Sequence, residues 1–189
     1  QPAARVILGD QAIFMGDYDV ALQEYNTALS AASDPAVQIA AKTGIGRTYL
    51  LNKNYTPAIQ TFTDILSSNP GSKDAADAAY FLAQAYLGMQ NPQKAADAYA
   101  LYLELNPGVI DGTVQELRAQ ALEAANDPAG ALAAYQAALA APRLSSDTAD
   151  LQIKIGQMYA STGDYENAVR TYLALFDATQ NEYTRGTLD

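Results

Sequence analysis

Neither cysteine nor histidine occurs among the 189 residues of this chain. Their absence excludes disulfides, thiolate catalysis, histidine-ligated zinc sites and Ser-His-Asp relays. No apolar run reaches the roughly 18 residues that a membrane-spanning helix needs, so we expect no membrane insertion. The lack of cysteine leaves the compartment open, with a cell-envelope or secreted location favoured over a cytoplasmic one because it suits an oxidising space.

Positive charge is also scarce. The chain has 11 Lys and Arg against 21 Asp and Glu, which gives a net charge of −10. A nucleic-acid-binding protein needs a basic stripe to neutralise phosphates, and the sequence has none. We therefore expect no nucleic-acid partner, and anionic membrane surfaces are disfavoured for the same reason.

A ten-residue pattern repeats along the chain. It reads GDYDVALQEY from residue 16, KNYTPAIQTF from 53, QNPQKAADAY from 90, NDPAGALAAY from 126 and GDYENAVRTY from 163. The starts are separated by 37, 37, 36 and 37 residues. Such a fixed period indicates a helical repeat array, in which each unit buries its apolar face by stacking on its neighbours.

Each pattern places a small residue four positions before an aromatic one. The five pairs are Ala21/Tyr25, Ala58/Phe62, Ala95/Tyr99, Ala131/Tyr135 and Ala168/Tyr172. Upstream of each pattern, a small residue stands three positions before an aromatic or apolar one: Gly9/Ala12, Gly46/Tyr49, Ala83/Tyr86, Ala119/Leu122 and Gly156/Tyr159. Small residues let two helices approach closely, and the aromatic ring fills the space beside them.

This order of residues resembles the tetratricopeptide repeat over nearly the whole chain. The resemblance implies an all-α fold, a right-handed α-solenoid of about five antiparallel helix pairs. It implies one array over residues 1–189, with repeats near 2–35, 39–72, 76–109, 112–145 and 149–182. The period exceeds the usual 34 residues, and we place the extra residues in the loops at 71–73, 108–112 and 144–147.

Start and stop signals predict the ends of the helices. We expect helix pairs at about 3–15 and 18–32, 36–51 and 55–68, 73–89 and 92–105, 113–125 and 128–140, and 147–161 and 165–178. Asp34, Ser72, Asn91 and Asp127 stand where capping side chains are favoured. The last nine residues, NEYTRGTLD, are interpreted as the start of another first helix, as in a piece of a longer protein.

In tetratricopeptide repeats the first helices line a concave groove that holds partner segments. The resemblance assigns Asp10, Arg47, Gln84, Gln120 and Gln157 to a first groove row. A second groove row contains Val6, Thr43, Tyr80, Glu116 and Ile153, and a third contains Ile13, Leu50, Leu87, Glu123 and Ala160. The candidate partner-binding residues are Asp10, Thr43, Arg47, Tyr80, Gln84, Glu116, Gln120, Ile153 and Gln157.

Each candidate also has a structural interpretation. The glutamines could register the backbone of an extended peptide, or they could serve only as uncharged helix formers on a solvated face. Tyr80 could anchor a partner, or it could pack on Phe81 or on the next helix. Some members of the family clamp acidic C-termini with Lys, Arg and Asn. Here Arg47 is the lone cation among acidic and apolar residues, so that activity is not expected.

Two functional hypotheses follow. The first is a non-catalytic scaffold that presents its groove to a protein or peptide and needs no cofactor or metal. The alternative is the superhelical, substrate-guiding part of a larger bacterial enzyme that processes peptidoglycan, since the alanine-rich, acidic array is similar to the superhelical region of soluble lytic transglycosylases. No catalytic motif lies within these residues. Because solenoid ends expose apolar faces, dimerisation through them is a further expectation.

Overall fold

The computed structural model of the chain describes residues 1–106, 108, 110–142 and 148–186, and these residues form ten α-helices and no strand. The helices are α1 (Pro2–Met15), α2 (Tyr18–Ala31), α3 (Pro35–Leu51), α4 (Tyr55–Ser68), α5 (Lys73–Gly88), α6 (Pro92–Leu105), α7 (Asp111–Ala124), α8 (Pro128–Ala140), α9 (Ala149–Ser161) and α10 (Tyr165–Gly186). The predicted all-α fold of five helix pairs is confirmed.

Local chemistry explains where the helices begin. Asp34, Ser72 and Asp127 each accept a hydrogen bond from a backbone N–H in the first turn of α3, α5 and α8. This satisfies a donor that the helix itself leaves unpaired. The Asn91 side chain accepts from the Lys94 N–H at the start of α6, with the longer N···O distance of 3.4 Å.

The turn inside every helix pair has the same backbone shape. One residue with positive φ stands at the first position of each repeated pattern: Gly16, Lys53, Gln90, Asn126 and Gly163. Glycine adopts this left-handed conformation readily, whereas lysine and glutamine do so at a steric cost. The turn therefore has the same backbone geometry in all five helix pairs, including the three in which this position is not glycine.

The helices divide into two compact units, Gln1–Asn106 and Pro107–Asp189. In the first unit each helix from α1 to α6 packs on the next, and the first helices α1, α3 and α5 also contact one another in order. In the second unit α7 packs on α8, α8 on α9, and α9 on α10. The single array over 1–189 stays a prediction.

Tyr25 shows how the small and aromatic positions work together. Its ring is fully buried and lies against two glycines, Gly9 on α1 and Gly44 on α3. A Cβ atom added at Gly9 would come within 2.6 Å of the ring. The rings of Phe62 and Tyr172 likewise lie against Gly46 and Gly156 of their own pairs. The predicted contact between small residues and aromatic rings is therefore present in both units.

The structure corrects one expectation and refines another. Residues 181–186 continue α10, so they do not begin another first helix; the remaining three residues of that segment lie outside the described part. Of the predicted loop residues, Lys73, Asp111 and Gly112 belong to helices, because Ser72 and Ile110 occupy the N-cap positions. Residues 144–147 are outside the described part.

Candidate functional site

The first two members of the first groove row meet in the N-terminal unit. An Nη1 atom of Arg47 on α3 lies 3.7 Å from Oδ1 of Asp10 on α1. The same Asp10 oxygen accepts a 2.7 Å hydrogen bond from the hydroxyl of Tyr25. Burial and this hydrogen bond raise the pKa of Tyr25 above its ordinary value of 10.0. Asp10 and Arg47 therefore help to hold a core ring in place.

Tyr80 belongs to a cluster of aromatic rings on α5 and α6. Its ring centroid lies 5.8 Å from those of Phe81 and Tyr99 and 5.7 Å from that of Tyr102. Burial raises the pKa of Tyr99 to about 12. Tyr80 is half-buried, so part of its side chain stays accessible. The structure thus places Tyr80 in the packing arrangement that the sequence left open as an alternative.

A cation connects this cluster to α3. The guanidinium of Arg47 lies 5.7 Å from the centre of the Phe81 ring, and the Phe81 ring stacks on Phe62 at 5.6 Å. Such contacts between a cation and a ring are attractive at this distance. Arg47 therefore contacts both Asp10 and Phe81, while 40% of its side chain remains exposed.

Thr43, Gln84 and Asp77 complete this part of the first-helix face. All three side chains are half-buried on α3 and α5. Burial raises the pKa of Asp77 above its ordinary value of 3.8, which means that the folded protein disfavours its charge. The face therefore offers uncharged polar groups and a half-buried tyrosine, beside carboxylates and one cation.

The second unit carries the other four candidates. The Gln120 amide lies 3.4 Å from Oε1 of Glu116 on the same helix, α7. Ile153 and Gln157 on α9 are exposed. These four side chains occupy first helices, as predicted, and none of them lies in a deeply buried pocket.

The second unit also contains a tyrosine that is bonded to a carboxylate beside a cation. The hydroxyl of Tyr135 donates to Oε2 of Glu123 at 3.0 Å, and Nζ of Lys154 lies 3.5 Å from the same oxygen. Burial and the bond to Glu123 raise the pKa of Tyr135. A tyrosine of a second helix thus again donates to a carboxylate that pairs with a cation of the next first helix.

Two observations on the described part of the chain concern metal-ligating groups and membrane-spanning helices. No group of three or more Asp or Glu side chains there is placed to hold a metal ion. None of the ten described helices combines the length and the apolar character needed to cross a bilayer.

Models of known protein families identify the type of repeat in this chain. One tetratricopeptide repeat model matches residues 8–73 and 117–182, and a second matches residues 49–121. The chain belongs to the tetratricopeptide repeat family. Proteins built from this repeat are generally non-catalytic scaffolds that mediate protein–protein interactions. A search of curated proteins gave no match.

Solved structures of other proteins share the fold. A crystal structure of MamA protein is 20% identical, with a TM-score of 0.74 and coverage of 97% of this chain and 94% of that one. TTC0263, a thermophilic TPR protein of Thermus thermophilus, is 19% identical, with a TM-score of 0.57 and coverage of 100% of both chains. BtubC from P. vanneervenii is 20% identical, with a TM-score of 0.68 and coverage of 94% and 80%. At these identities the likeness shows the fold alone.

Sequence reasoning missed several residues that shape the face of this tetratricopeptide protein. Phe81 was not placed in a groove row, although it contacts Arg47. Lys154 lies next to Ile153 but falls in none of the three rows. Asp10 and Glu123, the two carboxylates that hold tyrosine hydroxyls, occupy different repeat positions, so the period gave no signal for their shared role.

Proposed function

We propose that the face formed by α1, α3 and α5 binds an extended segment of a partner protein. The observation that supports this most is the group of accessible, uncharged side chains, Thr43, Tyr80 and Gln84, on adjacent first helices. A threonine hydroxyl and a glutamine amide can each donate and accept, which suits the backbone of an extended peptide. The half-buried Tyr80 supplies an aromatic contact of the kind that dominates many interfaces.

The charges on this face limit the kind of partner segment that it can bind. Arg47 is the one cation of this face, and the Asp10 carboxylate beside it offsets its charge. Asp10 and Asp77 add negative potential to the same face. We therefore propose neutral or basic segments as partners, since an acidic C-terminus would meet repulsion here. Glu116, Gln120, Ile153 and Gln157 are the corresponding candidates on the second unit.

Selection from a random peptide library displayed on phage tests this proposal. The probe is a peptide selected on the intact chain, and its affinity is measured by calorimetry. We expect Gln84→Ala to weaken binding by about tenfold, the cost of a lost hydrogen bond in a partly desolvated site. The matched control is Gln60→Ala, an equally conservative change at an exposed position of α4.

The outcomes separate the hypotheses. Equal affinities for wild type, Gln84→Ala and Gln60→Ala would overturn the proposal. The alternative of a substrate-guiding region in a peptidoglycan-processing enzyme predicts that soluble glycan strands bind this face and that no library peptide does.

A further inference from the structure

A cleft opens in the first unit where α4 meets the turn between α5 and α6. Its volume is about 270 Å³, and it is lined by Thr56, Ile59, Tyr86, Met89, Asn91 and Lys94. None of these residues belongs to the three groove rows or to the proposed partner-binding face. All of them lie well away from both ends of the sequence. The cleft is therefore a second concave surface, distinct from the first-helix face.

Packing and backbone hydrogen bonds fix the walls of the cleft. The Tyr55 ring at the start of α4 lies against Gly88 at the end of α5, where a Cβ atom would overlap the ring. The turn from α5 to α6 is closed by a 2.9 Å hydrogen bond from the N–H of Asn91 to the carbonyl of Tyr86. The backbone that carries the lining residues is thus set by the fold before any ligand binds.

The floor of the cleft is apolar. Ile59 and Tyr86 are half-buried, and the side chain of Met89 is 49% exposed. A methionine side chain is flexible and polarisable, so it adapts to the shape of a ligand. The volume lies just below the range of about 300–1,000 Å³ that is typical of small-molecule pockets. We therefore expect the cleft to hold a group the size of one residue.

Two polar groups at the rim have bonding capacity to spare. Nζ of Lys94 lies 5.5 Å from the centre of the Tyr86 ring, and no carboxylate of the described residues forms an ion pair with it. The hydroxyl of Thr56 has no hydrogen-bond partner among the described residues, whereas Thr61 and Thr63 of the same helix donate to their own backbone. A cation and a hydroxyl therefore stand ready beside an apolar floor.

The repeat does not require the two side chains that give the cleft this character. Met89 and Lys94 occur together in one of the five copies of the repeated pattern. The corresponding pairs in the other four copies are Met15/Val20, Asn52/Pro57, Ala125/Gly130 and Thr162/Asn167. Because the other helix pairs form without this combination, packing within the chain does not explain an exposed methionine beside a lysine here.

We propose that this cleft binds the carboxyl-terminal residue of a partner chain that ends in a large apolar side chain. The side chain lies against Ile59, Tyr86 and Met89, and the terminal carboxylate pairs with Lys94. A charge-assisted bond of about 2.8 Å to Nζ places the carboxylate at most about 8 Å from the centre of the Tyr86 ring. A terminal residue meets both needs within this reach, because its carboxylate and its side chain share one Cα atom. The Thr56 hydroxyl bonds the preceding peptide group.

The cleft and the proposed partner-binding face select opposite charges. The face of α1, α3 and α5 favours neutral or basic segments, because Asp10 and Asp77 lie on it. Lys94 gives the cleft a positive charge, which favours a carboxylate. Since the two surfaces share no residue, either proposal can fail without the other.

Methyl NMR of the intact chain tests the proposal. The chain has three methionines, so the ε-methyl signals of Met15 and Met158 serve as references for that of Met89. The probe is the peptide acetyl-Gly-Ser-Gly-Phe with a free carboxylate, compared with the same peptide ending in a carboxamide. We expect the free acid to shift the Met89 signal saturably and the carboxamide to bind about tenfold more weakly, since it loses a charge-assisted hydrogen bond. No Met89 shift at peptide concentrations up to about 10 mM, well above a Kd of about 1 mM, would overturn the proposal.

Two matched variants determine whether Lys94 binds the carboxylate. Lys94→Gln should lower the affinity for the free acid to that for the carboxamide, about a tenfold loss, and leave the carboxamide affinity unchanged. Lys73→Gln is the control, because it removes the same charge from an exposed residue at the opposite end of α5. Both lysines are exposed, so helicity measured by circular dichroism should not change. Equal losses in the two variants would show a response to net charge alone and would overturn the assignment to Lys94.

Two further ligands separate a chain terminus from other sources of the same chemistry. The acid 3-phenylpropionate has the ring and the carboxylate but no peptide group for Thr56, so it should bind about fivefold more weakly than the free-acid peptide. The peptide acetyl-Gly-Phe-Asp-Gly-carboxamide carries its carboxylate on an internal side chain and should bind no better than the first carboxamide. If either ligand binds as tightly as the free-acid peptide, the cleft accepts a small acid or an internal acidic segment, and the assignment to a terminal residue is wrong.

Discussion

Gly44→Ala is the substitution for which the structure gives the sharpest expectation. A Cβ atom at Gly44 would lie 2.7 Å from Cδ1 of Tyr25 and nearer still to Cε1 and Cζ. Carbon atoms prefer separations of about 3.5–4.0 Å, so the ring would have to shift by about 1 Å or more. Such a shift is hindered, because the ring is fully buried, Gly9 also lies against it and Asp10 holds its hydroxyl.

Two effects of opposite sign set the magnitude. Replacing a helical glycine with alanine in open space stabilises a helix by about 1 kcal/mol. Overpacking a well-filled core costs about 1–3 kcal/mol. Because Tyr25 is fully buried and its hydroxyl is bonded to Asp10, we expect overpacking to dominate. Gly44→Ala should therefore lower the free energy of unfolding by up to about 2 kcal/mol, the difference between these two effects.

Urea denaturation measures this change as a lower midpoint with an unchanged slope. Gly88→Ala is the matched control: its Cβ would also meet a ring, that of Tyr55, but this ring is only half-buried and can move aside. In a Tyr25→Leu background the cost of Gly44→Ala should vanish. A Gly44→Ala protein that is more stable than wild type would refute the packing argument.

Three further predictions concern single substitutions. Arg118→Leu should raise the urea midpoint, because Nε of Arg118 is buried without a hydrogen-bond partner at a position where Leu82 and Ile155 stand in other repeats. Gln90→Gly should stabilise by about 0.5–1 kcal/mol in the same assay, since it relieves a left-handed glutamine. Asp77→Asn should raise the melting temperature at neutral pH. The raised pKa of Asp77 means that its ionised form disfavours folding, so the advantage of the Asn variant should disappear as the pH falls below about 3.8. An equal effect of Asp77→Asn at neutral pH and below about pH 3.8 would show that ionisation of Asp77 is not the cause.

Much of the fold could be predicted from the sequence, because the repeated pattern indicates where each helix pair lies. Five correlated copies of one pattern predicted five helix pairs, and the capping residues Asp34, Ser72 and Asp127 marked the starts of helices that the structure confirms. The end of α10 was predicted wrongly, because its last residues contain no glycine or proline that would stop the helix before Gly186.

The candidate site was less predictable than the fold, for a physical reason. The period places a residue on a first helix but does not say which neighbours it contacts. Tyr80 could equally have pointed into a groove or packed on rings, and the choice depends on Tyr99 and Tyr102 in the next helix. The pairing of Asp10 with Arg47 likewise depends on the distance between α1 and α3, which the sequence does not encode locally.

Amide chemical shifts in a titration with a library-selected peptide test the central claim most directly. If α1, α3 and α5 present the partner-binding face, the largest shifts should occur at Thr43, Tyr80 and Gln84, and Gln60 on α4 should not change. Largest shifts along the second helices α2, α4 and α6, with the first helices unchanged, would contradict the account.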